Sequence, residues 1–235
     1  MAKPLAVIVG VGSGLSASLA RTLASEGYDL VLAARDVTKF ADLTEETGAQ
    51  AVALDATDPD GVAALFSGLD RAPDVAIYNP SARVRGPIAD LDPEAVRKAV
   101  EITSYGAFLT GQAAAQRMLA AEPRGGIRGT ILFTGASAGV KGYPQSAPFA
   151  MGKFAQRGLA ESMARELHPK GIHVAWINID GGIRNPARPE RVDAPDAPDS
   201  MLCPDAIARA YLGLIQQDRS AWTNELALRP WVERF

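Results

Sequence analysis

The sequence holds a single cysteine, Cys203, in 235 residues. An internal disulfide and a cysteine-based zinc site are therefore excluded, and a reducing compartment is favoured. Histidine is nearly as scarce. His168 and His173 stand far from any cysteine or acidic pair at metal-ligand spacing, so no metal site is expected. No apolar run approaches the ~20 residues needed to span a bilayer. Met1-Ala2-Lys3-Pro4 leads straight into a strand-like run, which predicts a cytoplasmic chain without a signal peptide. The net charge of -3 gives no general pull toward nucleic acid or an anionic membrane.

What is present is a globular composition, 47% apolar and 22% charged. The length suffices for one α/β domain over residues 1–235 with a sizeable core. Apolar runs alternate with helical patterns. Strands are predicted at Leu5–Val9, Asp29–Ala34, Ala51–Leu54, Val75–Tyr78, Thr130–Thr134, His173–Ile179 and Glu225–Leu228. Between them, helices are expected at 15–26, 38–47, from 58, 92–121, 148–167 and 203–217. Asp58-Pro59 and Asp92-Pro93 each read as a cap followed by proline in the first turn. Strands apolar throughout and separated by helices imply a parallel sheet covered on both faces, a Rossmann-type doubly wound fold. Residues 184–199 break the pattern. Pro186, Pro189, Pro195 and Pro198, with interspersed Arg and Asp, are too proline-rich for a helix and too long for an ordinary connection. Because this stretch follows a strand end where such sheets bind ligands, it reads as a lid over a substrate pocket.

Gly10-Val11-Gly12-Ser13-Gly14-Leu15-Ser16 lies between the first strand and the first helix. Glycines there let the backbone turn sharply and approach a pyrophosphate, while the helix start offers free N–H groups. G-x-G-x-x-G fails, since Leu15 holds its last position; G-x-x-x-G-x-G fits, with Ser16 in place of the last Gly. The second strand ends Ala34-Arg35. Ala34 takes the place where NAD enzymes carry an acid, and an Arg suits a 2′-phosphate. The cofactor expected is NADP(H), with Asp36 keeping NAD(H) as the alternative.

Together with Asp55-Ala56-Thr57, Tyr78-Asn79-Pro80-Ser81 and Lys153, this turn gives the chain a resemblance to the short-chain dehydrogenase/reductase family over nearly its whole length. The resemblance implies about seven parallel strands. It implies that Gly10, Gly12, Ser13, Gly14, Leu15 and Arg35 bind the cofactor, that Asp55 and Ala56 meet the adenine, and that Asn79 supports the sheet behind it. It adds Gly181 and Ile183 after the sixth strand, and Lys153 on the nicotinamide ribose. It also implies a homo-oligomer, dimer or tetramer, built on the 92–121 and 148–167 helices.

Three of the four catalytic positions of that family lack the usual residue. Phe149 stands in place of Tyr, Ala136 in place of Ser and Thr103 in place of Asn; only Lys153 is kept. Phe and Ala can neither donate a proton nor hold a substrate oxygen, and loss of a positioned acid costs about 10²–10⁴ in rate. The expected catalytic set is Lys153 and Thr103, with Ser137 and Tyr143 as replacement groups, Tyr143 as the proton donor. Three functions stay open: hydride transfer on a small or medium carbonyl, imine or enone by a non-standard proton route; cofactor binding without turnover, as a sensor or assembly partner; and non-redox isomerase or lyase chemistry.

Overall fold

The computed structural model describes residues 2–185 and 187–233, so Pro186 of the expected lid lies outside the described residues. The strands are β1 (Leu5–Val9), β2 (Asp29–Ala34), β3 (Gln50–Ala53), β4 (Val75–Tyr78), β5 (Gly129–Thr134), β6 (Ile172–Ile179), β7 (Gly182–Ile183), β8 (Met201–Leu202) and β9 (Glu225–Leu228). Seven of them form one parallel sheet in the order β3-β2-β1-β4-β5-β6-β9; β7 and β8 pair separately. The α-helices are α1 (Leu15–Ser25), α2 (Ala41–Thr47), α3 (Pro59–Ser67), α4 (Pro93–Val100), α5 (Gly106–Ala120), α6 (Ala147–Leu167) and α7 (Pro204–Ile215).

The period of two along a strand builds both cores. In β1, Leu5, Val7 and Val9 enter the layer under α3, α5 and α6. Ala6 and Ile8 enter the opposite layer, under α1, α2 and α7. With both faces covered, every β1 residue is buried, which explains a run apolar throughout. Each fully buried Val, Leu or Ile contributes about 1.5–3 kcal/mol.

The sheet also fixes where a ligand can go. From β1 the chain winds one way to β2 and β3, and the other way to β4, β5, β6 and β9. The crevice beyond the C-terminal ends of β1 and β4 is thus the topological switch point.

The helix expected over 92–121 is interrupted. Glu101–Tyr105 forms a π turn between α4 and α5. The carbonyls of Ile102 and Thr103 accept side-chain hydrogen bonds, from the Tyr78 hydroxyl and from Gln156 Nε2 at 3.1 Å. The expected lid is folded as well. Arg184 pairs with Asp193, Pro189–Arg191 makes a 3-10 turn, and β7–β8 pairing brackets the segment.

Candidate active site

A cavity of about 540 Å³ opens at the switch point. Its first wall is the β1–α1 turn, where Gly10, Gly12, Ser13, Gly14 and Leu15 all line the space. Gly10 has φ +87° and its missing Cβ would fall 2.5 Å from Pro80 Cγ, so only glycine fits there. Ser16, at the position of the missing third glycine, ties the turn: its Oγ donates to the Gly10 carbonyl at 2.9 Å and accepts from Asn79 Nδ2 at 2.6 Å. Asn185 of the 184–199 segment reaches over from the other side. Its Nδ2 donates to Ser13 Oγ at 3.1 Å.

A second wall follows β2 and β3. Arg35, Asp55 and Ala56 line it. Hydrogen bonds from Thr57 N and Oγ1, then the Arg35 charge, hold the Asp55 carboxyl below its ordinary pKa. Asp36 is occupied elsewhere. It caps the 3-10 turn Val37–Phe40 by accepting from Thr38 N (3.1 Å) and Oγ1 (2.6 Å), and pairs with Lys39 at 3.4 Å.

The third wall is formed by the ends of β4, β5 and β6 with α6. Asn79, Gly181, Ile183, Ala136, Phe149 and Lys153 line it. Lys153 is 2% exposed. Its Nζ donates to the Thr134 carbonyl and to Gln156 Oε1 at 3.2 Å. Burial, and secondarily the Arg83 charge, push the Lys153 amine down to about 7. Gln156 is fully buried and also accepts from Trp176 Nε1 at 3.3 Å. It therefore links the amine to α5's π turn and to β6. The sequence reading missed Gln156, although its place three residues after Lys153 puts it on the same helix face. Asp180 is paired with Arg229 at 3.5 Å.

Three expected catalytic groups require correction. Thr103 is buried behind α6 and does not line the cavity; its Oγ1 accepts from Ala82 N at 3.2 Å and supports the β4 loop. Ser137 opens the 3-10 turn behind Ala136 and is likewise outside the lining. Tyr143 is 40% exposed at the surface, with the Lys141 ammonium 5.5 Å above its ring, and does not face the cavity. The Lys141-Gly142-Tyr143-Pro144 loop contributes no residue to the cavity lining.

Arginines line the cavity as well, and Arg83 was not among the expected site residues. Arg83 lines the cavity together with Arg188 and Arg191. Its Cζ sits 4.1 Å from the centroid of the Phe149 ring. Arg184, in contrast, is taken by Asp193.

A family model described as short chain dehydrogenase matches residues 4–191. Trans-4-hydroxycyclohexanecarboxylate dehydrogenase of Sinomonas cyclohexanicum is 30% identical over 200 residues, 79% of this chain and 74% of that protein. A short-chain dehydrogenase from Rhodopseudomonas palustris of known structure is 35% identical with a TM-score of 0.81, covering 98% of this chain and all of that one. A metagenomic short-chain oxidoreductase solved in complex with NADP is 25% identical, with a TM-score of 0.82 over 97% of this chain and 98% of that one.

Proposed function

Because this chain belongs to the short-chain dehydrogenase family, we propose that it is an NADP(H)-dependent oxidoreductase acting on a small or medium carbonyl, imine or enone, with the Lys153 amine as proton carrier. One observation carries the reading: the glycine turn, Arg35 and Lys153, far apart in sequence, line one cavity. When bound, the nicotinamide supplies or takes the hydride.

The residues present fit such a cofactor. The turn from Gly10 to Leu15 would hold the pyrophosphate at the start of α1. Asp55 and Ala56 would flank the adenine, and Asn79, Gly181 and Ile183 the nicotinamide half. Arg35 lines the cavity while Asp36 is spent as a cap, and that division favours a 2′-phosphate over a free ribose hydroxyl.

The proton route departs from the family's usual one. Phe149 and Ala136 carry no transferable proton. A protonated amine has three N–H donors, and two of those of Lys153 face Thr134 and Gln156. The third is left for a substrate oxygen. An amine that titrates near 7 can donate in one direction and accept in the other. Losing the Tyr hydroxyl is thereby offset by an acid already at the site.

Titration of the protein with NADPH and NADH, followed by nicotinamide fluorescence, tests the cofactor assignment. An arginine–phosphate contact contributes about 1.5–3 kcal/mol. NADPH is expected to bind roughly ten- to hundredfold more tightly, and Arg35→Ala to level the two. Tighter binding of NADH would overturn the assignment. The same reading includes self-association through the outer faces of α5 and α6, where Phe108, Met151 and Phe154 are exposed beside Tyr105 of the π turn.

A further inference from the structure

Two ends of the cavity are both cationic, and only one of them is explained by a cofactor phosphate. Arg35 stands beside Asp55 at the β2–β3 end. Arg83, Arg188 and Arg191 stand at the other, where Arg83 lies on the Phe149 ring and Lys153 Nζ is 6.0 Å from the same ring centroid. Arg191 Nη1 lies 3.7 Å from where a Cβ on Gly182 would sit. Among the described residues none of these three guanidinium groups has an ion pair. The nearby acid that could have neutralised them is committed elsewhere: Asp193 is held by Arg184, Met201 N at 2.8 Å and Ser200 Oγ at 3.4 Å. Burial first, and then the positive charges of Arg191 and Arg85, push Arg83 below its ordinary pKa, so Arg83 and Arg191 repel each other.

Such crowding is unfavourable unless an anion completes it. The floor beneath it is apolar, made by Ala82, Ala136 and Phe149. A floor that accepts hydrocarbon and a rim that accepts negative charge together describe an organic acid. Contact with the Phe149 ring positions the planar Arg83 fork, whose paired N–H donors match a carboxylate.

We infer that Arg83 and Arg191, assisted by Arg188, form a carboxylate-binding subsite, so that the substrate is an organic acid whose reacting carbon lies over Phe149 and Ala136. This rests on the oxidoreductase reading for the identity of the reacting carbon, but the anion site itself does not need it.

Calorimetric titration with benzoate and with benzamide, its neutral analogue, tests the inference. The measurement is made on the free protein and on the protein saturated with NADPH. The variants are the double substitution Arg83→Gln with Arg191→Gln, and Arg85→Gln as a charge control outside the cavity lining. NADPH affinity is measured separately for each. Wild type and Arg85→Gln are expected to prefer benzoate by about tenfold or more. The double variant is expected to lose that preference while its NADPH affinity stays within about twofold. Equal affinity for the two probes, no benzoate binding, or a preference kept in the double variant would overturn the subsite. A parallel loss of NADPH affinity in the double variant would overturn it too, by giving the arginines to the cofactor. Failure of the wild type to bind NADPH sinks the cofactor reading instead, and the free-protein titration still decides the anion site.

Discussion

At the scale of single residues, Lys153 concentrates the chemistry. It is buried, held by two acceptors, and titrates near neutrality. Lys153→Met keeps the stem's packing but removes the amine. Steady-state rates should drop by about 10²–10⁴, the range for losing a positioned proton donor. The sign of the pH dependence follows from which form acts. Reduction needs the protonated amine, so kcat should decline as pH rises through about 7; oxidation needs the neutral amine, so kcat should climb over the same interval. A reductive rate that is flat across that interval would remove Lys153 as the donor. Adding the family's hydroxyls back, Phe149→Tyr with Ala136→Ser, should restore a donor of ordinary type and carry reductive turnover to higher pH. Some of the site was legible before the structure and some was not. The glycine turn and Arg35 announce themselves through residue type and position after strand ends, and Asp55, Asn79 and Lys153 through the family resemblance. Tyr143 misled because its loop was assigned to the pocket by resemblance alone. Arg83 went unread because an arginine two residues beyond Ser81 has no local signature; only the approach of α6 gives it Phe149 to stack on.

Among elements, α6 and the π turn act as one clamp. Gly152, the residue before Lys153, lies where a Cβ would fall 2.7 Å from Thr103 Cβ. Gly152→Ala therefore forces α6 away from the π turn or strains it. Overpacking of this kind costs about 1–3 kcal/mol, readable as a lowered urea midpoint with an unchanged slope. Because Lys153 and Gln156 ride on the same helix, kcat should fall in step with that shift while NADPH affinity at the distant glycine turn changes less. An unaltered midpoint would show that the clamp is looser than its geometry implies. The elements themselves were largely visible in the alternation of apolar runs and helical patterns. The π turn was not. Its sequence continues the amphipathic pattern on both sides, and what satisfies its carbonyls is Tyr78 and Gln156, residues remote in sequence.

For the whole molecule, strand order decides more than any single contact. Reversal of the winding at β1 and β4 brings six loop ends to one edge and creates the cavity between them. The parallel sheet was legible in strands separated by helices, but the strand order was not, because crossovers of one hand leave the point of reversal open. No helix among the described residues is long and apolar enough to cross a membrane, and one group of exposed apolar side chains sits on the outer side of α5 and α6. Met151 is 54% and Phe154 45% exposed there. Exposed apolar residues grouped on one face indicate an interface. Light scattering after size exclusion should give a dimer or tetramer, and Met151→Glu with Phe154→Asp should give a monomer of unchanged circular dichroism; a monomeric wild type would contradict that assignment. The central claim is that this sheet edge carries out hydride transfer although Phe149 and Ala136 replace the usual hydroxyls. It is tested most directly by following the absorbance of NADPH while the protein is offered a panel of ketones, keto acids, imines and enones. Consumption with at least one acceptor, abolished by Lys153→Met, is the expected result. Tight NADPH binding with no consumption by any member of the panel would contradict it.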